Sequence, residues 1–441
     1  MLAAMPPPAT SSPAPSGAPS HRGRGDACPG ALRLHRADDG ALARIRVPGG
    51  LLTAAQADAL GAAANGLGDG EVHLTSRGNV QLRGLGPECG GELAERLGAA
   101  GLLPSARHER VRNIVASPLS GLDGHGARDV GTWLSGLDAL LCADDGAAGL
   151  SGRFLFVLDD GRGDVDALGG DVSLLARDDT SALLRVGAAE TVLRVPGALA
   201  PRAALVAAAA FLERASDTGA WRVSDLPSGG DGLLDLVAER LREAGVDVAA
   251  AEHRSRPGRC DGPGSGIVTG PSSGSATLSA GLPLGRATSA QWRALVDTAR
   301  HEGRGELRLT PWRGVVVPGV EPGRAAKALD ALGAAGLVVS PDSPWTGVGA
   351  CIGRPGCARS LADVRADAAA AVGAAGPLPV YWSGCERRCG HPRGTWVDVV
   401  ATPGGHLVHV VRDGERAEPV PAADGPDGLA AAVAAARRDH G

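Results

Sequence analysis

An internal repeat constrains the fold of this chain more than any other feature of its sequence. The pattern PxGxxTxAQxxAL, which begins at Pro48, recurs 235 residues later from Pro283. At the same spacing, the pattern GExxLT from Gly70 and the hexamer LGAAGL from Leu97 each recur once. Composition alone does not place three separated blocks in one register, even in an alanine- and glycine-rich chain. The chain is therefore a duplication, which predicts a pseudo-twofold pair with a single site where the halves meet.

Each copy opens with a unit that reads helix, strand, strand, helix. The first helix is predicted to begin at the caps Thr53 and Thr288, and the second to end at Gly98 and Gly333. A longer α/β stretch follows each unit. Alternating apolar residues predict strands at Glu71–Leu74, Val80–Leu85, Glu306–Thr310, Val315–Val320, Arg153–Leu158 and Trp396–Ala401.

Charge and hydropathy exclude several classes of protein. The net charge of −5 argues against a general polyanion binder, so no nucleic-acid partner is expected. The most apolar run, Ala203–Leu212, is about half as long as a membrane span, and the N-terminus lacks the apolar core of a signal peptide. We therefore expect a cytoplasmic protein with no membrane partner. Lys327 is the one lysine among the 44 basic residues, and the guanidinium forks that remain suit carboxylates.

Four of the eight cysteines fall into two close pairs. Cys351 and Cys357 are spaced C-x5-C, Cys385 and Cys389 are spaced C-x3-C, and 27 residues separate the pairs. Thiolates in two glycine-flanked loops suit a 4Fe–4S cluster. Zinc and unligated thiols are the alternatives, although zinc sites favour a shorter first spacing. The scattered cysteines are expected to be free thiols: Cys28, Cys89, Cys142 and Cys260.

The two cysteine pairs, together with the duplicated unit and the segment LTSRGNVQ from Leu74, resemble the nitrite and sulfite reductase superfamily. In that superfamily four such cysteines hold a 4Fe–4S cluster, and the last of them bridges to sirohaem iron. Within it, the chain is most similar to the aerobic precorrin-3B synthases of cobalamin biosynthesis. The segments that carry this similarity are CPGALR from Cys28, RNIVASP from Arg112, FxxxLDDG from Phe154 and CxxxCGHP from Cys385.

The resemblance implies an α+β fold with a pseudo-twofold axis, built from two ferredoxin-like halves and two sirohaem-reductase-like α/β halves. The expected organisation is a disordered Pro/Ser/Ala tail at 1–27, a ferredoxin-like half at 28–105, an α/β domain at 106–253, a Gly/Ser/Pro linker at 254–280, a second ferredoxin-like half at 281–345 and a cysteine-bearing α/β domain at 346–441.

It also implies an activity. Precorrin-3B synthases hydroxylate precorrin-3A at C20 with dioxygen, and the ring A acetate closes a γ-lactone onto C1. Electrons come ultimately from NADH, and a non-haem iron accompanies the cluster. Because no GxGxxG motif opens a helix in a βαβ unit, NADH is not expected to bind here. A separate electron carrier, a ferredoxin or a reductase, is the expected partner.

Two other functions are alternatives. Sirohaem-dependent reductases bind their small anion against two arginines and two lysines, and the lysines lie in an LPRKFK pattern. Here Arg77 and Arg112 match the arginines and Arg153 keeps one further charge, but Leu155 replaces the second lysine. An aliphatic side chain supplies neither protons nor charge to a compact anion, which disfavours the reductase and its sirohaem. The other alternative is a non-catalytic iron–sulfur protein that binds tetrapyrrole.

The resemblance also assigns roles to individual residues. Arg77, Arg112 and Arg153 are the predicted catalytic residues and bind substrate carboxylates, with surface or structural ion pairs as the alternative. The second copy has Trp312 and Gly347 in place of Arg77 and Arg112, which suits an asymmetric site. Two further predictions concern polar side chains: Asn79 and Gln81 hydrogen-bond the substrate, and His391 is a candidate non-haem iron ligand, the alternative being a hydrogen bond to a loop carbonyl.

Overall fold

The computed structural model describes residues 26, 28–178, 180–253, 262–270, 274–373, 376–392, 394–420 and 425–438. Within these ranges the chain forms four β-sheets, and helices pack against each of them. None of the helices in the described part is long and apolar enough to cross a bilayer.

The first two sheets are antiparallel, and each takes one edge strand from the other copy. The first has the order β1 (His35–Ala37), β2 (Gly40–Ile45), β5 (Val80–Leu85), β4 (Val72–Leu74) and β14 (Arg286–Ala287). The second has the order β12 (Gly266–Thr269), β13 (Ala276–Gly281), β16 (Gly314–Val320), β15 (Glu306–Leu309) and β3 (Leu51–Thr53). Because β3 and β14 occupy equivalent positions of the repeat, the exchange of strands is reciprocal.

Four helices cover one face of these sheets: α1 (Ala54–Leu67), α2 (Gly90–Ala99), α6 (Ser289–His301) and α7 (Pro322–Ala334). Thr53 and Thr288 each form a capping box, which confirms both predicted helix starts. One hydrophobic core runs through both copies and includes Leu60 and Leu295 at equivalent positions. The two ferredoxin-like units therefore fold as one body.

The other two sheets are mixed and form the two α/β domains. The third has the order β11 (Ala249–Glu252), β10 (Thr191–Pro196), β9 (Ser181–Val186), β8 (Val172–Ala176), β7 (Phe156–Asp159) and β6 (Ile114–Ala116), and carries α3 (Gly131–Ala143), α4 (Ala200–Ala215) and α5 (Leu233–Glu243). The fourth has the order β17 (Val348–Ala350), β18 (Val380–Ser383), β19 (Trp396–Thr402), β20 (Gly405–Arg412) and β21 (Glu415–Arg416), and carries α8 (Val364–Ala370) and α9 (Gly425–Arg437).

In both α/β domains the first three strands are parallel and the remaining pairs are antiparallel. The architecture is the duplicated α+β arrangement expected from the sequence. The loops that leave the carboxyl ends of β6, β7, β17 and β18 lie against the ferredoxin-like sheets.

Two boundaries differ from the sequence predictions. The segment 254–280, predicted as a linker, contains β12 and most of β13, because β13 pairs along β16 and β12 pairs along β13. The strand predicted at Arg153–Leu158 begins only at Phe156, because Ser151 and Arg153 form a turn held by the hydrogen bond from Phe154 N to Ser151 O. Residues 1–25, most of the predicted tail, and Cys260 lie outside the described residues.

Candidate functional site

A row of four polar side chains crosses the first sheet on the face opposite the hydrophobic core. Strand register pairs Arg44 with Gln81, Gln81 with His73, and His73 with Arg286. Directly paired residues share a face of a sheet, and the residues that alternate with this row are core residues. We call Arg44, Gln81, His73 and Arg286 the polar row. Its last member comes from the second copy through the exchanged strand β14.

The equivalent row of the second sheet has lost this polarity. The same register pairs Ser279 with Val316, Val316 with Arg308, and Arg308 with Leu51. Its one charged member, Arg308, donates to the carbonyl oxygens of Pro118 and Ser120, which cover that face. The duplicated scaffold therefore presents a polar face in only one copy, as the loss of Arg77 and Arg112 from the second copy also indicated.

Further arginines surround the polar row. Arg77 donates to the carbonyl oxygen of Arg153 across 3.2 Å, and the exposed Arg153 guanidinium lies 4.4 Å from the centre of the Trp221 ring. Arg46, which is 3% exposed, donates to the carbonyl oxygens of Arg110 and Gly152 and to Asn113 Oδ1. Arg77 contacts Arg153 and lies close enough to Arg44 for their charges to interact, and we call the surroundings of these three arginines the arginine cleft.

These guanidiniums form no ion pair with any carboxylate that the structure describes. Among the described residues, Arg44, Arg46, Arg77 and Arg153 have no carboxylate within ion-pair distance, and Arg44 Nε is buried without a hydrogen bond. Burial, together with repulsion from the neighbouring Arg44, lowers the pKa of Arg46 to about 10. Burial also lowers the pKa of Arg77, to which repulsion from Arg222 contributes. Desolvated cations held together in this way would be stabilised by a bound anion.

Two of the predicted substrate-binding residues have structural partners instead. Arg112 forms a bidentate ion pair with Asp138 on α3, both bonds at 2.7 Å, and also donates to the Leu102 carbonyl oxygen. Asn79 is 1% exposed, accepts from the Val47 amide and donates to Asn113 Oδ1. Their polar atoms are therefore occupied within the protein. Gln81, in contrast, lies in the polar row, where its Oε1 accepts from Arg44.

The four paired cysteines lie on two loops at the carboxyl ends of neighbouring parallel strands. Cys351 follows β17 and Cys385 follows β18, and their partners Cys357 and Cys389 lie further along the same loops. Burial raises the pKa of the Cys351 thiol, and the nearby Cys385 and Cys389 thiols raise it further. Backbone amides of Gly384 and Gly353 donate to Cys351 Sγ, the first across 3.2 Å.

Close backbone approach shapes these loops. A Cβ atom on Gly384 would lie 1.9 Å from Ser360 Oγ, and Gly353 has a φ of +69°, which favours glycine. Tyr381 and Trp382, both at most 3% exposed, precede the second loop, and Tyr381 Oη donates to the Cys389 carbonyl oxygen. Four thiols, amide donors to sulfur and a shielding aromatic pair fit a 4Fe–4S cluster held by Cys351, Cys357, Cys385 and Cys389.

Two arginines connect the cysteine loops to the polar row and its strands. Arg365 of α8 lies with Nε 3.3 Å from the Cys351 carbonyl oxygen and with Nη1 3.4 Å from His73 Nδ1. Arg83, beside the row on β5, pairs with Asp39 at 2.8 Å and donates to the Gly356 carbonyl oxygen. Burial, together with the Arg286 charge, lowers the pKa of Arg365 to about 10. The cysteine site and the arginine cleft are thus neighbours at the junction of the copies.

His391 is remote from other potential ligands. It is exposed, its ring stacks on Trp396 with the centroids 5.2 Å apart, and its Nδ1 lies 2.8 Å from the Pro392 carbonyl oxygen. Within the described ranges it joins no group of potential metal ligands. This contact is the alternative that the sequence left open for His391, a hydrogen bond to a loop carbonyl.

Comparison with known proteins identifies the repeated unit. The sequence pattern of the nitrite/sulfite reductase ferredoxin-like half domain matches residues 34–100 and 271–335. The chain carries two nitrite/sulfite reductase ferredoxin-like half domains. The second match begins inside the predicted linker, in agreement with the position of β13 in the structure.

Proteins that are similar to most of this chain include two kinds of enzyme. A precorrin-3B synthase from Sinorhizobium sp is 27% identical over 394 residues, covering 87% of this chain and 82% of the relative. A ferredoxin–nitrite reductase from Synechococcus elongatus is 26% identical over 419 residues, covering 86% and 78%. The solved structure of NirA from Mycobacterium tuberculosis superposes with a TM-score of 0.69 at 18% identity, covering 89% of this chain and 79% of that one. This structural similarity shows the fold of the chain.

Sequence reasoning did not find several arginines in and around the polar row: Arg44, Arg46, Arg83, Arg286 and Arg365. They lie outside the motifs that carried the family resemblance. One signal was available for the polar row, because the 235-residue offset places Gln81 opposite Val316 and Arg286 opposite Leu51. Positions of a duplicated strand that differ in polarity mark the face on which the two copies have diverged.

Proposed function

We propose that this chain is a precorrin-3B synthase that uses dioxygen to hydroxylate precorrin-3A at C20, with closure of the ring A acetate into a γ-lactone on C1. One oxygen atom enters the product and the other leaves as water. Two electrons and two protons complete the balance. The electrons would come from an external NADH-linked donor through a carrier such as a ferredoxin.

The observation that carries the proposal is the arginine cleft. Arg44, Arg77 and Arg153 have no carboxylate partner among the described residues, and the buried Arg46 lies beside Arg44. A macrocycle with several acetate and propionate groups would supply the missing anions, and guanidinium forks bind carboxylates in a bidentate manner. Their fixed positions would orient the macrocycle relative to the cysteine loops.

A second observation separates this function from anion reduction. Leu155, at the position of the second lysine of the reductase pattern, is 2% exposed and packs with Val115, Val157 and Trp312. The leucine side chain has no polar atom that could protonate a small anion or pair with its charge. In the second copy, the position equivalent to Arg77 is that same Trp312.

A 4Fe–4S cluster bound by the four paired cysteines would supply single electrons when present. The chain's own contribution is placement: Arg365 lies between the Cys351 carbonyl oxygen and the polar row, and Trp382 packs in the hydrophobic core of the domain that carries the cysteine loops. Arg77 and Arg153 would hold substrate carboxylates at the mouth of the cleft.

Parallel assays with the three candidate substrates test the proposal. Purified protein with reduced ferredoxin is offered precorrin-3A with dioxygen, nitrite or sulfite in parallel reactions. The proposal expects turnover of precorrin-3A only, followed as the gain of one oxygen atom in the product mass. Reduction of nitrite or sulfite, together with a sirohaem absorption band, would assign the reductase function instead. Binding of precorrin-3A with no product would assign a non-catalytic tetrapyrrole-binding role.

A further inference from the structure

A tight turn and the start of β4 bring two carboxylates and an imidazole together at the edge of the polar row. His73 Nε2 lies 3.5 Å from Asp69 Oδ2 and 3.6 Å from Glu71 Oε2. One ligand atom from each residue lies within 4.8 Å of the other two. Gly70, with a φ of +82°, turns the backbone so that the two carboxylates stand side by side.

The imidazole nitrogen that points at these carboxylates has no hydrogen bond. The His73 side chain is 7% exposed, and its Nε2 is buried without a hydrogen-bond partner. Distances of 3.5 and 3.6 Å are too long for a hydrogen bond but suit two ligands of one ion bound between them. A buried polar atom left in this way requires an explanation.

The second copy shows what the same backbone does without this triad. At the 235-residue offset, Asp69, Glu71 and His73 become Arg304, Glu306 and Arg308. Glu306 there accepts from Arg304 at 2.9 Å and from Arg308 at 2.6 Å. The conserved glutamate is therefore neutralised by two built-in cations. In the first copy those two cations are replaced by a carboxylate and an imidazole.

Neighbouring donors fix the ligand oxygens of the first copy. The Glu71 amide donates to Asp69 Oδ1 across 3.0 Å, which leaves Oδ2 directed at His73. Arg286 Nη1 donates to both Glu71 oxygens at 2.9 and 3.0 Å. Hydrogen bonds of this kind to coordinating carboxylates are typical of metal sites.

Another acidic group in the chain lacks these properties. Asp159, Asp160 and Asp164 also come within 4.8 Å of one another. Backbone amides of Gly161, Gly163 and Asp166 occupy the Asp159 oxygens, and Arg162 pairs with Asp160 at 2.7 Å. This group contains no imidazole and no buried polar side-chain atom without a hydrogen bond, so it is the natural internal comparison.

We propose that Asp69, Glu71 and His73 bind one divalent first-row transition-metal ion, such as Fe²⁺ or Mn²⁺. One imidazole with two carboxylates is a donor set that such ions accept, and water would complete the coordination. Arg286 already pairs with Glu71, and the ion would supply the further positive charge that the added carboxylate of Asp69 requires. This inference does not rest on the proposed function, because the ion would bind without tetrapyrrole and in a reductase equally.

Binding through Nε2 has a consequence for Arg365. The imidazole proton then resides on Nδ1, which can no longer accept a hydrogen bond from Arg365 Nη1. Arg365 keeps its second partner, the Cys351 carbonyl oxygen. An ion bound to His73 would therefore change the hydrogen bonding of a side chain that contacts the cysteine loop.

Titration of the purified holoprotein with Mn²⁺ tests the proposal, with free Mn²⁺ measured by EPR without added reductant or substrate. We expect one tight site per chain, from which Fe²⁺ displaces Mn²⁺. The variants Asp69→Asn, Glu71→Gln and His73→Ala should each weaken binding by more than about 100-fold, since even outer-shell changes cost 10–100-fold. Circular dichroism of Asp69→Asn and Glu71→Gln, which preserve side-chain shape, separates loss of the site from loss of the fold.

The matched control is Glu306→Gln, the equivalent substitution in the second copy, which should leave Mn²⁺ binding unchanged. Equal binding by the wild type and all three ligand variants would place the ion on surface carboxylates and overturn the proposal. Absence of tight Mn²⁺ and Fe²⁺ binding to the wild type would also overturn it, and the triad would then be an ordinary histidine–carboxylate contact.

Discussion

The indole nitrogen of Trp292 donates a 2.7 Å hydrogen bond to the carbonyl oxygen of Ala57, the residue at the equivalent position of the other copy. The bond crosses the contact between α1 and α6, where Gly61 leaves room for the indole ring: a Cβ atom there would lie 2.8 Å from Trp292 Cδ1. Equivalent positions meet close to a pseudo-twofold axis. The two half domains are therefore joined at their symmetry axis by an asymmetric pair of residues.

Replacing Trp292 with Phe is expected to lower the free energy of unfolding by about 1–3 kcal/mol, because the hydrogen bond to Ala57 and part of the buried indole ring are lost. Denaturant unfolding followed by circular dichroism measures the change. The control is Trp345→Phe, since that half-buried indole makes no ring hydrogen bond in the described structure. Equal effects of the two substitutions would show that the Trp292–Ala57 hydrogen bond does not stabilise the contact between α1 and α6.

Asp164 predicts a pH dependence of stability. Burial raises its pKa to about 7, and the neighbouring Asp159 carboxylate adds to the shift. The unfolded chain releases this proton near pH 4, so the free energy of unfolding falls as the pH rises from about 4 to 7. Asp164→Asn, which mimics the protonated form, should be more stable than the wild type at pH 8, by up to about 4 kcal/mol, and similar to it at pH 4.

Melting temperatures of the two proteins between pH 4 and pH 8 measure this effect. Parallel curves for the wild type and Asp164→Asn across that range would contradict the raised pKa of Asp164.

Arg77 and Arg112 should respond differently to the same substitution. Arg77→Gln removes an unpaired cation from the cleft and should weaken precorrin-3A binding about tenfold to a hundredfold with little change in stability. Arg112→Gln breaks a buried ion pair with Asp138 and should cost about 3–5 kcal/mol of stability. Absorbance titration under anaerobic conditions and thermal melting measure the two effects. Weaker binding by a fully stable Arg112→Gln protein would restore that residue to the site.

Cys389→Ser should abolish the EPR signal of the reduced 4Fe–4S cluster, because a serine hydroxyl replaces one of its four thiolates. The control is Cys142→Ser, which alters a half-buried thiol of α3 on the other α/β domain. An unchanged spectrum in Cys389→Ser would remove that residue from the ligand set.

Local signals in the sequence predicted local structure well. The Thr53 and Thr288 caps and the strand Val80–Leu85 are found as expected, because hydrogen bonds and alternation within a few residues define them. The strand exchange was not predictable in this way. β3 has three residues and β14 has two, which is too short for any periodicity, and both form only because an edge of the opposite sheet accepts them.

The candidate site also combines features that local sequence predicts with features that only long-range contacts decide. The cysteine pairs can be read directly from their spacing, whereas the role of Arg112 depends on Asp138, which lies 26 residues away on a separate helix. The polar row depends on strand register, which brings Arg286 of one copy beside His73 of the other. Long-range pairing therefore decides which arginines are available to a substrate, and no motif records it.

Hydroxylation of precorrin-3A is tested most directly by turnover under ¹⁸O₂ with reduced ferredoxin, followed by mass spectrometry of the product. The proposed activity predicts one ¹⁸O atom in the product, located at C20, and the loss of this label when either dioxygen or the electron donor is withheld. A product without ¹⁸O, or no product from protein that carries its cluster and binds precorrin-3A, would contradict it.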